Sequence, residues 1–135
     1  IVSNDIILGY DGRKMSKSYN NVIPLFCSEK KLKNHVFKLK TNSKNVGEPK
    51  TMDESPVCDL FKAICTKNQV NEMITMLSDG ISWGEMKGIT FDILNNMIKG
   101  YRDIYNNMLF KEYNVCDSVK RVVRDKLKTV KDIVY

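Results

Sequence analysis

A single histidine, His35, and four cysteines without any Cys-x-x-Cys spacing leave the chain short of the donors a zinc site needs, so no protein-bound metal is expected. Cys27, Cys58, Cys65 and Cys116 are most simply reduced core thiols, which fits a cytoplasmic setting and does not separate it from an organellar one. No apolar run approaches the roughly 20 residues required to span a bilayer, and no signal peptide precedes Ile1, so no membrane partner is expected. With 135 residues the chain can bury one substantial core.

Acidic residues are the other shortage. Sixteen of them face 22 lysines and arginines, a formal charge of +6 that favours a polyanionic partner. The excess is concentrated in two stretches. Seven lysines between Lys30 and Lys50 stand against Glu48 alone, and six basic residues after Ser118 stand against Asp125 and Asp132.

Periodicity gives a mainly helical reading. Residues Asp5 to Leu8 form a short apolar run leading into the turn Gly9-Tyr10-Asp11-Gly12, as a strand end would. From Ser28, Leu32, Val36 and Leu39 follow helical spacing, and that helix is expected to stop near Asn42 to Ser43. Lys44 to Glu54 reads as a connecting loop. Ser55-Pro56 is a helix start, with serine as cap and proline at the first position, followed by the apolar face Val57, Leu60, Phe61, Ile64 and Cys65. A shorter helix carries Val70, Met73, Ile74 and Leu77 and ends at Asp79-Gly80.

Ser82 and Glu85 have the spacing of a capping box, and Ile81 and Met86 that of a hydrophobic staple, so the next helix begins at Trp83. Its stripe through Ile93, Leu94, Met97, Ile98, Tyr101, Ile104, Tyr105 and Met108 predicts a helix of almost thirty residues with an apolar inner face. A final helix is expected to turn Val119, Val122, Val123, Leu127, Val130 and Val134 inward and Lys120, Arg121, Arg124, Lys128 and Lys131 outward.

Chemistry concentrates in Lys14-Met15-Ser16-Lys17-Ser18, where two lysines and two hydroxyls share five residues of loop. Lysines are compact charges on flexible stems, suited to phosphates that move during reaction, and serine hydroxyls add hydrogen-bond donors. Gly9 and Gly12 give the loop backbone angles closed to other residues. A loop so poor in apolar surface is not expected to organise itself in the absence of its anionic ligand.

This run resembles the KMSKS signature of class I aminoacyl-tRNA synthetases. Asp11-Gly12-Arg13 before it, Tyr19 to Phe26 after it and the segment Gly80-Ile81-Ser82-Trp83-Gly84-Glu85-Met86-Lys87 are similar to the tryptophanyl branch. The resemblance implies that residues 1–26 close a nucleotide-binding Rossmann domain and that residues 27–135 form a helical anticodon-binding domain. It implies ATP as substrate, Mg2+ accompanying it, and tRNA(Trp) and tryptophan as partners of a homodimeric parent. It also implies that Lys14 and Lys17 act on the triphosphate and the departing pyrophosphate, with Met15, Ser16 and Ser18 in the ATP site and Asn20 or Asn21 holding the loop.

The family's His-Ile-Gly-His-like motif and its amino-acid pocket have no counterpart in this sequence. The chain is therefore expected to be a C-terminal piece, inactive alone. A tyrosyl enzyme and a stand-alone helical RNA-binding module descended from a synthetase are the alternatives. For tRNA, the basic final helix suggests backbone contacts through Arg121, Arg124 and Lys128. Arg102 is the candidate for reading unpaired bases, while Tyr101 and Tyr105 are expected in the core.

Overall fold

The computed structural model describes residues 6–110 and 121–126, with side chains described through residue 108 of the first stretch. The architecture is mainly helical, and no strand occurs among the described residues. The expected strand end survives only as an isolated antiparallel bridge between Leu8 and Lys14. Asp5, the first residue of the expected run, lies outside the described residues.

Helix α1 spans Glu29–Phe37, its first turn capped by Ser28, whose hydroxyl accepts the Lys31 N–H at 3.4 Å. It stops short of the expected Asn42. Three nonlocal bonds compete with continuation: Ser55 Oγ donates to Lys40 O at 2.6 Å, and Asn42 takes the Trp83 indole N–H on its oxygen at 2.8 Å and donates to Glu54. A last turn, with the Leu39 N–H on Val36 O, still delivers Leu39 into the core.

Helix α2, Pro56–Ile64, starts as the Ser-Pro pair requires, with Ser55 Oγ accepting the Val57 N–H at 3.3 Å. Helix α3, Lys67–Ser78, has a capping box that the periodicity did not reveal: Thr66 and Gln69 each bond the other's backbone N–H. Helix α4, Trp83–Phe110, opens on the expected box, where the Ser82 hydroxyl accepts the Glu85 N–H at 3.0 Å and the Glu85 carboxylate accepts the Ser82 N–H at 3.2 Å.

The core joins Leu32 and Val36 of α1, Val57 and Phe61 of α2, Met73 and Leu77 of α3, and Trp83, Met86, Phe91 and Leu94 of α4. At about 1.5–3 kcal/mol per buried large apolar side chain, this cluster supplies most of the favourable free energy of folding. Ile74, expected on the inner face of α3, is exposed. On α4 the inner face follows Phe91, Leu94, Asn95, Ile98 and Arg102, whereas Met97, Tyr101, Ile104, Tyr105 and Met108 are exposed, contrary to the expected stripe. The helix turns by about 100° per residue, so this second apolar row lies beside the row the core selects.

Two compact units are present, Ile1–Ile104 and Tyr105–Tyr135. Residues 121–126 of the second are helical, with Val122 and Val123 exposed rather than inward. Val119, Leu127, Val130, Val134, Lys120, Lys128, Lys131 and Cys116 lie outside the described residues.

The connection between α1 and α2 is more closely tied than a plain loop. Lys50 is buried, its ammonium donating to Asn45 O at 2.7 Å and Glu48 O at 2.9 Å and lying 5.9 Å from the centre of the Trp83 ring. The Gly47 N–H reaches Gly80 O at 2.8 Å. Gly80 has φ +86°, and a Cβ there would stand 2.5 Å from the Gly47 backbone. Gly80→Ala is therefore expected to destabilise the fold by about 2 kcal/mol or more, well above a typical surface change, as read by urea unfolding. Equal stability of the two proteins would contradict this packing.

Candidate functional site

The loop carrying Lys14 and Lys17 is built on a tight turn. Gly12, at φ +80°, sends its N–H to Gly9 O at 3.0 Å; the Gly9 N–H bonds Arg13 O at 2.7 Å, and the Met15 N–H bonds Ile7 O at 3.2 Å. Gly9 is needed for a different reason from Gly12. A Cβ at Gly9 would lie 2.4 Å from the carbonyl oxygen of Asn21 and 2.7 Å from its side chain. Only a bare α-carbon allows that approach.

Asn21 is fully buried. Its Nδ2 faces Asp11 Oδ1 at 2.8 Å, Lys14 O at 3.2 Å and Arg13 O at 3.4 Å, while its Oδ1 accepts the Ser16 N–H at 2.7 Å. One amide thus ties the loop before Lys14 and between the two lysines. The expectation of a loop unable to organise itself is overturned, because polar satisfaction of a buried amide takes the place of apolar burial.

Asp11 completes the frame. It accepts the Arg13 backbone N–H at 3.1 Å, an Asx-turn contact, and pairs with the Arg13 guanidinium through Nη2 at 2.8 Å and Nε at 2.9 Å. The Arg13 guanidinium also lies 4.5 Å from the centre of the Tyr19 ring. A 3-10 turn at Lys17–Tyr19 follows, ended by Asn20 in the left-handed region at φ 49°, with the Tyr10 hydroxyl donating to Asn20 O. Both asparagines therefore hold the loop, Asn20 as a turn residue and Asn21 through its side chain.

Lys14 and Lys17 are exposed, and among the described residues neither ammonium has an ion-pair partner. Met15, between them, is half-buried against the core. The Ser16 and Ser18 hydroxyls are 2.7 Å apart and share one hydrogen bond. The result is two free cations and two hydroxyls on a backbone held from below, an arrangement able to receive a chain of phosphates.

The expected RNA-facing residues are distributed differently. Arg102 is buried, with Nη1 donating to Asn95 Oδ1 at 2.9 Å, and its Nε and Nη2 find no partner among the described residues. Tyr101 and Tyr105, expected in the core, are exposed. Arg121 and Arg124 are exposed on the helical residues 121–126. Among the described residues no three His, Cys, Asp or Glu side chains gather as a metal site would require. Burial pushes the Cys58 thiol up to about 12, so it stays protonated and unreactive.

The hydrogen bond from Asn21, followed by the contacts from Arg13, holds the Asp11 carboxyl down to about 2 from its ordinary 3.8. A carboxyl whose folded pKa is depressed contributes stability above its unfolded value and loses it as pH falls through the folded one, here from about 3.8 to about 2. A carbon-detected NMR titration is expected to place the Asp11 midpoint near 2, moving towards the ordinary value in Asn21→Ala. A midpoint already ordinary in the unaltered protein would contradict the network.

No family model matches the chain. Among curated proteins it is 43% identical over 104 residues to the tryptophan–tRNA ligase of Neisseria meningitidis, covering 77% of this chain and 31% of that protein. The tryptophan–tRNA ligase of Xylella fastidiosa is 36% identical over 118 residues, covering 84% of this chain and 27% of that protein. Among solved structures, tryptophanyl-tRNA synthetase from Campylobacter jejuni, in a complex with ADP and tryptophan, shares the fold at a TM-score of 0.79 with 24% identity, covering 99% of this chain and 44% of that one. The chain spans between about a quarter and a third of the length of these two curated relatives, and over that span it is similar to tryptophan–tRNA ligases.

Proposed function

We propose that the chain is the part of a tryptophan–tRNA ligase that supplies the ATP loop and a helical tRNA-binding region, with residues 1–26 finishing the nucleotide-binding domain and residues 27–135 forming the helical one. The parent would be a cytoplasmic homodimer that activates tryptophan with ATP and transfers it to tRNA(Trp). The observation that carries this reading is the pair of ammonium groups, Lys14 and Lys17, without an ion-pair partner among the described residues, on a loop whose backbone is tied by the buried Asn21.

In activation, the tryptophan carboxylate attacks the α-phosphorus of ATP, the bond to the bridging oxygen breaks, and pyrophosphate leaves with growing negative charge. Lys14 and Lys17 meet that charge, and the Ser16 and Ser18 hydroxyls donate to phosphate oxygens once they exchange their mutual bond for the ligand. Met15 packs against the chain's own core between the two cations. Mg2+ would be carried by the triphosphate, since the described residues of this chain offer no ligand cluster for it. Arg121 and Arg124, with Lys128, would add contacts to the tRNA backbone. Arg102 would need to leave its bond to Asn95 before it could read a base, so its part in this reading is to shape the helix surface that Tyr101 and Tyr105 expose.

Lys17→Ala in the full-length protein is expected to slow tryptophan-dependent ATP–pyrophosphate exchange by about 10²-fold or more while changing apparent ATP affinity much less, because the charge it meets is larger in the transition state than in the ground state. Loss of ATP affinity with an unchanged maximal rate would overturn the assignment. Arg121→Ala/Arg124→Ala is expected to weaken cognate and non-cognate tRNA alike and to lower the salt slope of binding; unchanged affinity and slope would remove these residues from the interface.

A further inference from the structure

Helix α1 and the three residues that follow it carry five lysines, Lys30, Lys31, Lys33, Lys38 and Lys40, against the single acid Glu29. Leu32 and Val36 commit one side of the helix to the core. Lys30, Lys31, Asn34 and Lys38 fall on the opposite side by helical spacing, and all four are exposed. Among the described residues, none of these three lysines has a carboxylate within ion-pair distance.

The surroundings add positive charge instead of cancelling it. Lys33 lies over the Phe37 and Phe91 rings at 5.7 and 5.6 Å, and Lys87 of α4 donates to Phe37 O at 3.1 Å at the end of α1. Like charges three and four residues apart weaken a helix, so this one carries its lysines at a cost to its own stability. A surface that departs from local charge balance without a folding gain is where a charged partner is expected.

We infer that the outer face of α1 is a sequence-independent contact surface for the RNA sugar-phosphate backbone, made by residues other than Arg121 and Arg124. The identity of the RNA as a tRNA rests on the reading proposed above. Lysines on one face, with no acceptor between them except the Asn34 amide, match a row of phosphates and carry no base selectivity. Leu32 and Val36 are taken up by the protein core, and Phe37, exposed on α1, has Lys33 over its ring, which leaves no apolar row to insert into a lipid surface.

The test is the full-length protein with Lys30→Gln, Lys31→Gln and Lys38→Gln together, titrated with cognate tRNA and an unrelated RNA from 50 to 200 mM salt. Each phosphate contact contributes about 0.7–0.9 to the slope of log affinity against log salt, so the triple variant is expected to lower that slope by about 2 for both RNAs. Affinity at the low-salt end should fall at least tenfold, thermal stability should be maintained, and the corresponding triple Lys→Arg variant should bind as the parent does. Unchanged slope and affinity for both RNAs would overturn the inference. So would loss of binding to vesicles containing phosphatidylserine with RNA binding intact. Tryptophan-dependent ATP–pyrophosphate exchange, run in parallel, tests the ligase reading separately: its absence in the parent protein would refute that reading, while the RNA titrations would still decide the α1 surface.

Discussion

The buried amide of Asn21 is the constraint on which the candidate site depends. It meets Asp11, the Arg13 and Lys14 carbonyls and the Ser16 N–H, so the backbone on both sides of Met15 is referred to one immobile group. Leaving such an amide unsatisfied costs about 1–3 kcal/mol, and the loop avoids this only by holding one shape. Gly9 is a consequence of the same constraint, since a side chain there would displace Asn21. The lysines can then remain exposed and unpaired, because nothing in the loop's conformation depends on neutralising them.

The helical part solves a different problem. Four helices share one apolar cluster, and the ties between Gly47 and Gly80 and around Lys50 fasten the α1–α2 connection to the end of α3. Polar groups are again satisfied by nonlocal backbone partners: Ser55 on Lys40 O, Lys87 on Phe37 O. Lys50 and Arg102 are buried in this frame, while the lysines of α1 lie on its surface, where they are available to a polyanion.

Much of this was legible from local chemistry. The caps at Ser55 and Ser82 and the end of α3 at Asp79-Gly80 follow from residues within one turn of each boundary. The end of α1 was not legible, because Asn42 and Lys40 are claimed by Trp83 and Ser55, which lie far along the sequence. The inner face of α4 was misread for a related reason. Two adjacent apolar rows satisfy the helical period equally well, and only the position of the other helices selects the row ending in Arg102. In the loop, the cations and glycines were visible, whereas the role of Asp11 was not. Its spacing from Arg13 permits an Asx-turn, yet the approach of Asn21, ten residues later, decides what that carboxylate holds.

The buried amide of Asn21, more than the packing of Met15 on the core, holds the backbone of the lysine loop. Amide hydrogen exchange across the whole chain, comparing the unaltered protein with Asn21→Ala, tests it most directly. Faster exchange at Gly9, Met15 and Ser16 by about tenfold or more, with the amides of α2 and α3 unchanged, is the expected result. Equal protection of the loop in both proteins would contradict the account.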